Sequence, residues 1–461
     1  MLVNLRPQRF IILLLIPLLF SSHLTANQNT DSLTSFANEL PDREYLFEIH
    51  GSNTIGAVLA PNMVSAYLKN KGVCNILIST TDIVNETVVE GTILNSSRKA
   101  KVRIAAHGSS TGFKSLLNGS GQIAAASRAI KAKEINKLKQ FGDMTSVRNE
   151  HIVGIDGLAV ITHASNPIKQ LTKQTIAKVF SGKIRNWNQL GGPDQTITLY
   201  ARDDKSGTWD TFKQLVLGKG LPLHSAAQRF ESNDELARSV SNDPSGIGFT
   251  GIASTNNTNI IAISDGESRA LMPTKLNIAT EDYPLARRLY MYTKSDMTNP
   301  FAKEFIKFSE TYDGQQVVTE TGFVSQNITT SIPEDDATIP SSFKQLVEGY
   351  QRLSVNFRFS EGRTKLDNKA ERDLDRLIYF MDSNNIPNED IMLIGYSDKQ
   401  SNELRAQLIS ELRALSVKTA IKRRGKTIRA YTGYGQYMPL ATTSGDKGVF
   451  KNGRVEVWAR L

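Results

Sequence analysis

Short apolar runs alternate with helical patterns between about residue 45 and residue 323. The stretches "YLFEIHG" (45–51) and "KVRIAAHG" (101–108) are typical of strands, whereas "AVLAPNMVSAYL" (57–68) repeats apolar residues at helical spacing. Two more buried strands are predicted at "GLAVITH" (157–163) and "TITLYAR" (196–202). Strand–turn–helix alternation of this kind predicts a mostly parallel sheet covered by helices.

The pattern stops over residues 324–342 and restarts at about residue 343. Two prolines, three acids and several Ser and Thr residues predict a linker in this stretch. Beyond it, two strand–helix units and a closing alternating strand, "RVEVWARL" (454–461), predict a small α+β domain. The chain is therefore expected to have an α/β domain over 45–323 and an α+β domain over 343–461.

The N-terminus has the three-part form of a secretory signal peptide. Arg6 and Arg9 precede an apolar run over 10–20, and small residues follow up to Ala26. The run is short for a transmembrane helix, which needs about 20 apolar residues, so a membrane anchor is the less favoured alternative. We predict a signal peptide over 1–26, followed by a flexible lead over 27–44 and export to the periplasm.

Composition narrows the classes of function. The 461 residues carry a formal net charge of +9, which favours anionic partners without choosing one. Basic residues are not interleaved with aromatic ones in runs, which argues against nucleic acid as a partner. Cys74 is the one cysteine, so no intrachain disulfide is possible, and the six His residues lack metal-ligand spacing. We expect no metal and no cofactor.

Three stretches share one design, in which a strand ends in a Gly/Ser/Thr turn that opens a helix: "HGSNTIG" (50–56), "HGSSTGF" (107–113) and "KSGTWDTF" (205–212). Such turns direct backbone N–H groups from the positive end of a helix towards an anion. One turn alone is more simply explained as helix capping. Three turns at the carboxyl ends of parallel strands together favour an anion site.

Arg202 immediately precedes the third turn. Its guanidinium can hold an oxyanion through two parallel hydrogen bonds, and Asp204 could fix that guanidinium in place. The alternative is a surface ion pair between the two side chains, worth less than about 1 kcal/mol. The local sequence does not decide between them.

Residues 45–323 resemble the periplasmic phosphate-binding proteins of ABC transporters. The resemblance rests on motifs in the family's order: "GSNTIGAVLAP", "GSSTGF", "ASRAIKAKE", "VFSGKIRNWNQLGG", "ARDDKSGT" and "DPSGIGFTG". It implies a two-lobed periplasmic-binding-protein fold of type II, with hinge strands between the lobes and the ion buried between them. The phosphate-binding residues that it implies are Thr54, Ile55, Ser109, Arg128, Arg202, Ser206, Gly207 and Thr208, with Asp204 bracing Arg202.

The chain departs from the family's best-known form at Arg128. That form has an aspartate after the Ser of the "AS" motif, and the aspartate accepts a proton from bound phosphate and so rejects sulfate. An arginine donates hydrogen bonds but accepts none, so Arg128 either adds a cation to the cleft or turns away from it. Phosphate is the first choice of ligand, and other tetrahedral oxyanions stay open.

Residues 350–461 are similar to the peptidoglycan-binding domain of OmpA-type proteins. The similarity rests on "VNFRFSEGRTKLDNKAERDL", "IMLIGYSDKQSNELRAQLISELRALSV", "GYGQYMPLA" and "NGRVEVW". It implies that Asp398 and Arg413 hold the diaminopimelate of the cell-wall peptide, a zwitterion that a carboxylate and a guanidinium can grip. Ala406 replaces the usual Asn, and Gly453 the usual Arg. Without the resemblance, Asp398 would be interpreted as a helix cap and Arg413 as a solvent-exposed residue.

Three hypotheses for the function follow. The leading one is a periplasmic phosphate-binding protein for ABC-type uptake, tethered non-covalently to peptidoglycan, with an ABC permease as a further candidate partner. The second is a wall-anchored structural or sensor protein whose α/β domain does not serve transport. The third, phosphoester hydrolysis, lacks a metal cluster and a nucleophile motif, so we predict that the chain is not an enzyme.

Overall fold

The computed structural model describes residues 44–461 apart from 94–97, 205, 219, 334–338, 360–364 and 443–450. The predicted signal peptide and nearly all of the predicted lead therefore lie outside the described residues. None of the described helices is long and apolar enough to cross a membrane.

Eighteen strands are assigned within the described ranges. They are β1 Phe47–Gly51, β2 Val73–Thr80, β3 Glu86–Ile93, β4 Lys99–Ala105, β5 Ile123–Ala126, β6 Glu150–Thr162, β7 Gln170–Thr172, β8 Thr198–Arg202, β9 Gln228–Phe230, β10 Gly246–Gly251, β11 Asn259–Ile260, β12 Ala262–Ser264, β13 Ala286–Tyr292, β14 Thr330–Ser331, β15 Gln351–Arg358, β16 Ile391–Gly395, β17 Ala430–Gly433 and β18 Arg454–Ala459.

Twelve α-helices are assigned in the same ranges. They are α1 Ala60–Asn70, α2 Ser109–Asn118, α3 Ala132–Leu138, α4 Lys173–Phe180, α5 Gly207–Phe212, α6 Asn233–Ser241, α7 Lys275–Ala279, α8 Pro300–Glu310, α9 Tyr312–Glu320, α10 Ser341–Leu346, α11 Asn368–Ser383 and α12 Glu403–Lys422. A π-helical turn, Ile55–Leu59, runs directly into α1, and a second, Lys213–Leu217, continues α5.

The largest sheet has two parallel regions separated by antiparallel strands. Its order is β2-β3-β4-β1-β5-β13-β6-β10-β8-β9, with β11 added against β6. Strand β1 pairs in parallel with β4 and β5, and β8 pairs in parallel with β9 and β10. Between them, β13 and β6 pair antiparallel with each other and with their outer neighbours. The prediction of one mostly parallel sheet is thus wrong. The hinge strands β6 and β13 pair antiparallel in the middle of the sheet, and β3 pairs antiparallel with both β2 and β4 at one edge.

The hinge strands divide the α/β domain into two lobes. Lobe 1 contains β1–β5 with α1, α2, α8 and α9, and lobe 2 contains β7–β12 with α4–α7. In lobe 1, Phe47 of β1 packs against Phe305 of α8, with ring centroids 5.1 Å apart. In lobe 2, Phe212 of α5 stacks on Phe249 of β10 at 3.9 Å. The two lobes agree with the predicted type II architecture.

The stretch predicted as a linker is largely built into the two domains. Val324 pairs with Ile155 of the hinge strand β6 through hydrogen bonds of 2.8 and 2.9 Å. Six residues later, β14 begins and pairs with β15 of the C-terminal sheet. The expectation of a loose coil over 324–342 is therefore corrected for the described residues: strand partners on both sides satisfy the backbone groups of this polar segment.

The C-terminal domain has a five-stranded sheet in the order β14-β15-β18-β16-β17, and β14 precedes the boundary predicted at residue 343. Asp367 caps α11 by accepting the N–H of Ala370 at 2.8 Å, and Asn402 caps α12 by accepting that of Arg405. Alternating residues of β15 and β18 and one face of α11 and α12 form its core. This arrangement agrees with the predicted small α+β domain.

Candidate functional site

The three Gly/Ser/Thr turns come together at the carboxyl ends of the strands. The first turn follows β1, and the N–H of Ser52 donates to the carbonyl of Ala125 at 2.8 Å. The second turn follows β4, and the N–H of Gly108 donates to the carbonyl of Gly51 at 2.6 Å. Gly108 has φ +100°, a conformation that favours glycine. The first two turns therefore form one continuous surface on lobe 1.

The third turn, on lobe 2, touches the first turn across the cleft. A Cβ added to Gly207 would lie 2.0 Å from Thr54 Oγ1 and 2.6 Å from Thr54 Cα. Only glycine allows the backbones to approach this closely. The lobes are thus in a closed arrangement, with Thr54 and Gly207 facing each other.

A buried arginine that the sequence analysis missed joins these two turns. Arg287 of the hinge strand β13 donates from Nη2 to Thr54 Oγ1 and to the carbonyl of Gly207, both at 2.9 Å. Its Nε pairs with Asp156 of the hinge strand β6 at 3.1 Å. Burial lowers the pKa of Arg287, and the charge of Asp156 opposes that shift. The Thr54 hydroxyl accepts from Arg287, so its own proton is free to point towards a ligand.

Arg202 is 9% exposed and does not face bulk water. Its Nε donates to the carbonyl of Phe230 at 3.2 Å, and its two other nitrogens donate to the carbonyl of Glu231 and to Asn233 Oδ1. Burial lowers the pKa of Arg202, and the nearby Asp203 and Glu231 carboxylates oppose the shift. Three of its five N–H groups are thereby used to fix the guanidinium, and the other two have no hydrogen-bond partner among the described residues.

Asp204 does not brace Arg202, which corrects the expectation. Its side chain is 85% exposed and pairs with Arg229 at 2.6 Å. The Arg229 guanidinium also lies over the ring of Trp209, 4.6 Å from the ring centroid. Backbone carbonyls and an amide hold Arg202 instead, because segment 230–233 passes directly beside it.

Ser109 and Arg128 lie on the lobe 1 side of the cleft. Ser109 Oγ accepts the N–H of Ser127 at 3.1 Å, which joins the second turn to the end of β5. Arg128 forms a two-pronged pair with Glu134, with distances of 2.7 and 2.8 Å, and donates to Ser110 Oγ at 3.1 Å. A carboxylate therefore neutralises the charge of Arg128. Burial raises the pKa of Glu134, but hydrogen bonds and the Arg128 charge outweigh that effect and lower it.

The other predicted contacts occupy the starts of helices. Ser206 caps α5, its Oγ accepting the N–H of Trp209 at 3.4 Å. Thr208 lies in the first turn of α5 and is half-buried. Ile55 begins the π-helical turn, and its side chain is fully buried in the core of lobe 1, which leaves its backbone as the contact group.

In the C-terminal domain, Asp398 and Arg413 meet although fifteen residues separate them. Arg413 Nη2 lies 3.2 Å from Asp398 Oδ1, and Nη1 donates to the carbonyl of Tyr396 at 2.9 Å. Asn402, not Asp398, caps α12, so the capping interpretation of Asp398 does not hold. A Cβ at Gly453 would lie 2.6–2.8 Å from the Arg413 guanidinium. The Gly at this departure from the family pattern thus leaves room for Arg413.

Both parts of the chain match the models of known protein families. Residues 65–310 match the family model described as the PBP superfamily domain, and residues 358–453 match that of the OmpA family. The phosphate-binding protein PstS of Borreliella burgdorferi is 30% identical over 268 residues, covering 55% of this chain and 90% of that protein. The chain belongs to the PBP superfamily, in the PstS family.

A second PstS relative agrees with this assignment. PstS of Bacillus subtilis is 29% identical over 267 residues, covering 57% of this chain and 84% of that protein. Among solved structures, an ABC-type phosphate transport receptor from Vibrio cholerae covers 60% of this chain and 99% of its own, with 24% identity and a TM-score of 0.47. The two PstS relatives are named as phosphate-binding proteins, which agrees with the prediction that the chain is not an enzyme.

Within the described residues, no group of three or more His, Cys, Asp or Glu side chains could hold a metal ion.

The pair of Asp156 and Arg287 could have been suspected from the sequence. Two adjacent arginines interrupt the otherwise apolar strand "ARRLYMY" (286–292), and a charged residue inside such a strand needs a buried partner.

Proposed function

We propose that the PstS-like domain binds inorganic phosphate between its lobes and that the C-terminal domain attaches the protein to peptidoglycan. The observation that carries the proposal is the closed arrangement of the lobes. Turns from lobe 1 and lobe 2 meet at Thr54 and Gly207, with the buried guanidinium of Arg287 between them and Arg202 fixed nearby. Backbone N–H groups, hydroxyls and guanidinium groups are the donors that tetrahedral oxyanions require.

The ligand contacts in this proposal are those that the resemblance implies. Thr54, Ser109 and Thr208 supply hydroxyls, and Ile55 and Gly207 supply backbone N–H groups. Ser206 orients the start of α5, and Arg202 supplies the remaining N–H pair. Arg128 contributes positive potential only in part, because Glu134 neutralises it. The relatives named phosphate-binding proteins support phosphate as the ligand.

The cellular role follows from combining the two domains. A phosphate-binding domain for ABC-type uptake requires an ABC permease as a partner. The proximity of Asp398 and Arg413 supports recognition of the zwitterionic end of diaminopimelate. On these grounds we propose that the protein lies in the periplasm, against the cell wall.

Titration calorimetry on the chain without the predicted signal peptide, residues 1–26, tests which ligand binds. Phosphate, sulfate and arsenate are compared at pH 6 and pH 8, with Arg202→Ala beside the wild type. We expect phosphate to bind, and Arg202→Ala to cost about 2–5 kcal/mol of binding free energy because a desolvated anion loses a charged partner. A loss of less than threefold in affinity would remove Arg202 from the site. Equal binding of sulfate and phosphate would widen the ligand class to oxyanions in general.

A further inference from the structure

The C-terminal domain is bound to both lobes of the α/β domain, not only to the end of the chain that leads into it. Its contacts are polar and charge-complementary: acidic side chains of the lobes meet arginines of β15 and α11. Asp282 makes the contacts on lobe 2, and Glu310 makes those on lobe 1.

On lobe 2, Asp282 is the centre of the contact. It follows α7 and is 2% exposed. Asp282 accepts from Arg352 at 2.9 Å, from Arg358 at 3.0 Å and from Asn356 at 2.8 Å, all three on β15. Arg358 also donates to the carbonyl of Thr280 at 2.9 Å. A carboxylate buried this deeply needs its cationic partners, so this contact holds β15 firmly to lobe 2.

On lobe 1, Glu310 at the end of α8 is the counterpart of Asp282. Arg372 of α11 pairs with it at 3.0 Å and donates to the carbonyl of Glu150, on a hinge strand, at 2.8 Å. One turn further along α11, Arg376 donates to Gln326 Oε1 at 3.1 Å. Burial raises the pKa of Glu310, but the hydrogen bond with His151 and the charge of Arg372 outweigh it and lower that pKa. Glu310 is therefore a charged anchor on lobe 1.

The two anchors are rigidly connected through the C-terminal domain. Leu353, Val355 and Phe357 of β15 share one core with Leu374 and Leu377 of α11. Because β15 holds lobe 2 and α11 holds lobe 1, a rotation of the lobes about the hinge must break one set of contacts. Both sets are intact in the arrangement in which Thr54 touches Gly207.

We propose that the C-terminal domain is a clamp that holds the two lobes of the cleft in their closed arrangement. The clamp surface consists of Asp282 on lobe 2 and Glu310 on lobe 1, and its partner is the basic face of Arg352, Arg358 and Arg372. The consequence for ligand affinity rests on the proposed function, whereas the consequence for lobe geometry does not. A domain that binds the closed state better than the open state raises the population of the closed state.

Distances between spin labels on the two lobes test the clamp in the full chain without any ligand. Cys74 is exposed on lobe 1 and is the one natural cysteine, and Lys183→Cys adds an exposed label on lobe 2. The clamp is weakened by Arg372→Gln combined with Arg376→Gln. The matched control is Arg424→Gln, since Arg424 pairs with Glu371 and Asp375 inside the C-terminal domain.

We expect one narrow distance distribution in the wild type and in the control, and a broader distribution reaching longer distances in the double variant. If the open state becomes about nine-tenths populated, the apparent phosphate affinity falls about tenfold. Glu310→Gln breaks the same contact from lobe 1 and leaves the C-terminal domain unaltered, which guards against misfolding of the double variant. It should broaden the distribution in the same direction.

The two proposals fail in different ways. Distributions that stay as narrow as the wild type in both clamp variants would overturn the clamp, whatever the phosphate titration gives. A wild type that binds no phosphate, while its clamp variants broaden, would overturn the proposed ligand and support the clamp.

Discussion

The buried pair of Asp156 and Arg287 gives a prediction in which two charge changes act in opposite directions. Arg287→Met removes the cation and leaves the Asp156 carboxylate facing the cleft. Asp156→Asn removes the anion and leaves the guanidinium without its counter-charge. If phosphate binds at Thr54, the first change weakens binding and the second strengthens it.

The contact distances set the magnitude. A phosphate oxygen accepting from Thr54 lies about 5 Å from the guanidinium and about 10 Å from the carboxylate, because each hydrogen bond in the series spans about 3 Å. At an effective dielectric constant of about 20, a unit charge at these distances is worth about 3.3 and about 1.7 kcal/mol. We therefore expect Arg287→Met to lower phosphate affinity roughly 200-fold and Asp156→Asn to raise it roughly 15-fold.

Titration calorimetry at one pH and one ionic strength measures both changes. Arg287→Lys serves as the control for charge, since it keeps the cation and loses the planar fork. Circular dichroism confirms that each variant is folded, because breaking a buried pair typically costs about 3–5 kcal/mol of stability. Affinity changes of the same sign in the two variants, or changes below twofold in both, would refute the placement of phosphate beside this pair.

Three further predictions follow from the same structure. Gly207→Ala puts a methyl group 2.0 Å from Thr54 Oγ1, so it should separate the lobes and lower phosphate affinity more than tenfold. The control is Gly220→Ala, where the added methyl group meets open space and the affinity should not change. Equal affinities of the two variants by calorimetry would contradict the close approach of Gly207 to Thr54. Arg413→Ala should lower cosedimentation with diaminopimelate-containing peptidoglycan at least tenfold, and Arg424→Ala should not; equal pelleting of both variants would exclude Arg413 from wall binding. Burial raises the pKa of Glu281, but Arg288 and neighbouring cations outweigh burial and lower this pKa to about 2. The ionised carboxylate should therefore add about 3 kcal/mol to the free energy of unfolding above pH 4.5, and this contribution should be lost as the pH falls towards 2. A melting temperature that is constant over this range would contradict the prediction.

Local patterns determined the two domains and most of their elements. Apolar spacing predicted β1, α1, β8 and α11, because each buries one face and the period of that face is visible in the chain. The order of the hinge strands was not predictable in this way. Strands β6 and β13 are both apolar and lie more than a hundred residues apart, and nothing local specifies that they pair antiparallel.

In the candidate site, too, some features were predictable from the sequence and others were not. The three turns were recognisable because Gly, Ser and Thr at a strand-to-helix junction have a local conformational reason to be there. The partners of Arg202 were not recognisable, since Asp204, the acid expected to brace it, is exposed and pairs with Arg229. The true partners lie in segment 230–233, which only the folded chain brings alongside.

The sequence by itself determined which segments carry the donors that we propose for an anion and for the cell wall, because backbone conformation and side-chain chemistry are properties of short stretches. The tertiary structure alone decided how those donors are held. It buried Arg287 against Asp156, brought Thr54 to Gly207, and docked the C-terminal domain across both lobes. These contacts join residues far apart in the chain, and their free energy depends on burial, which no local pattern specifies.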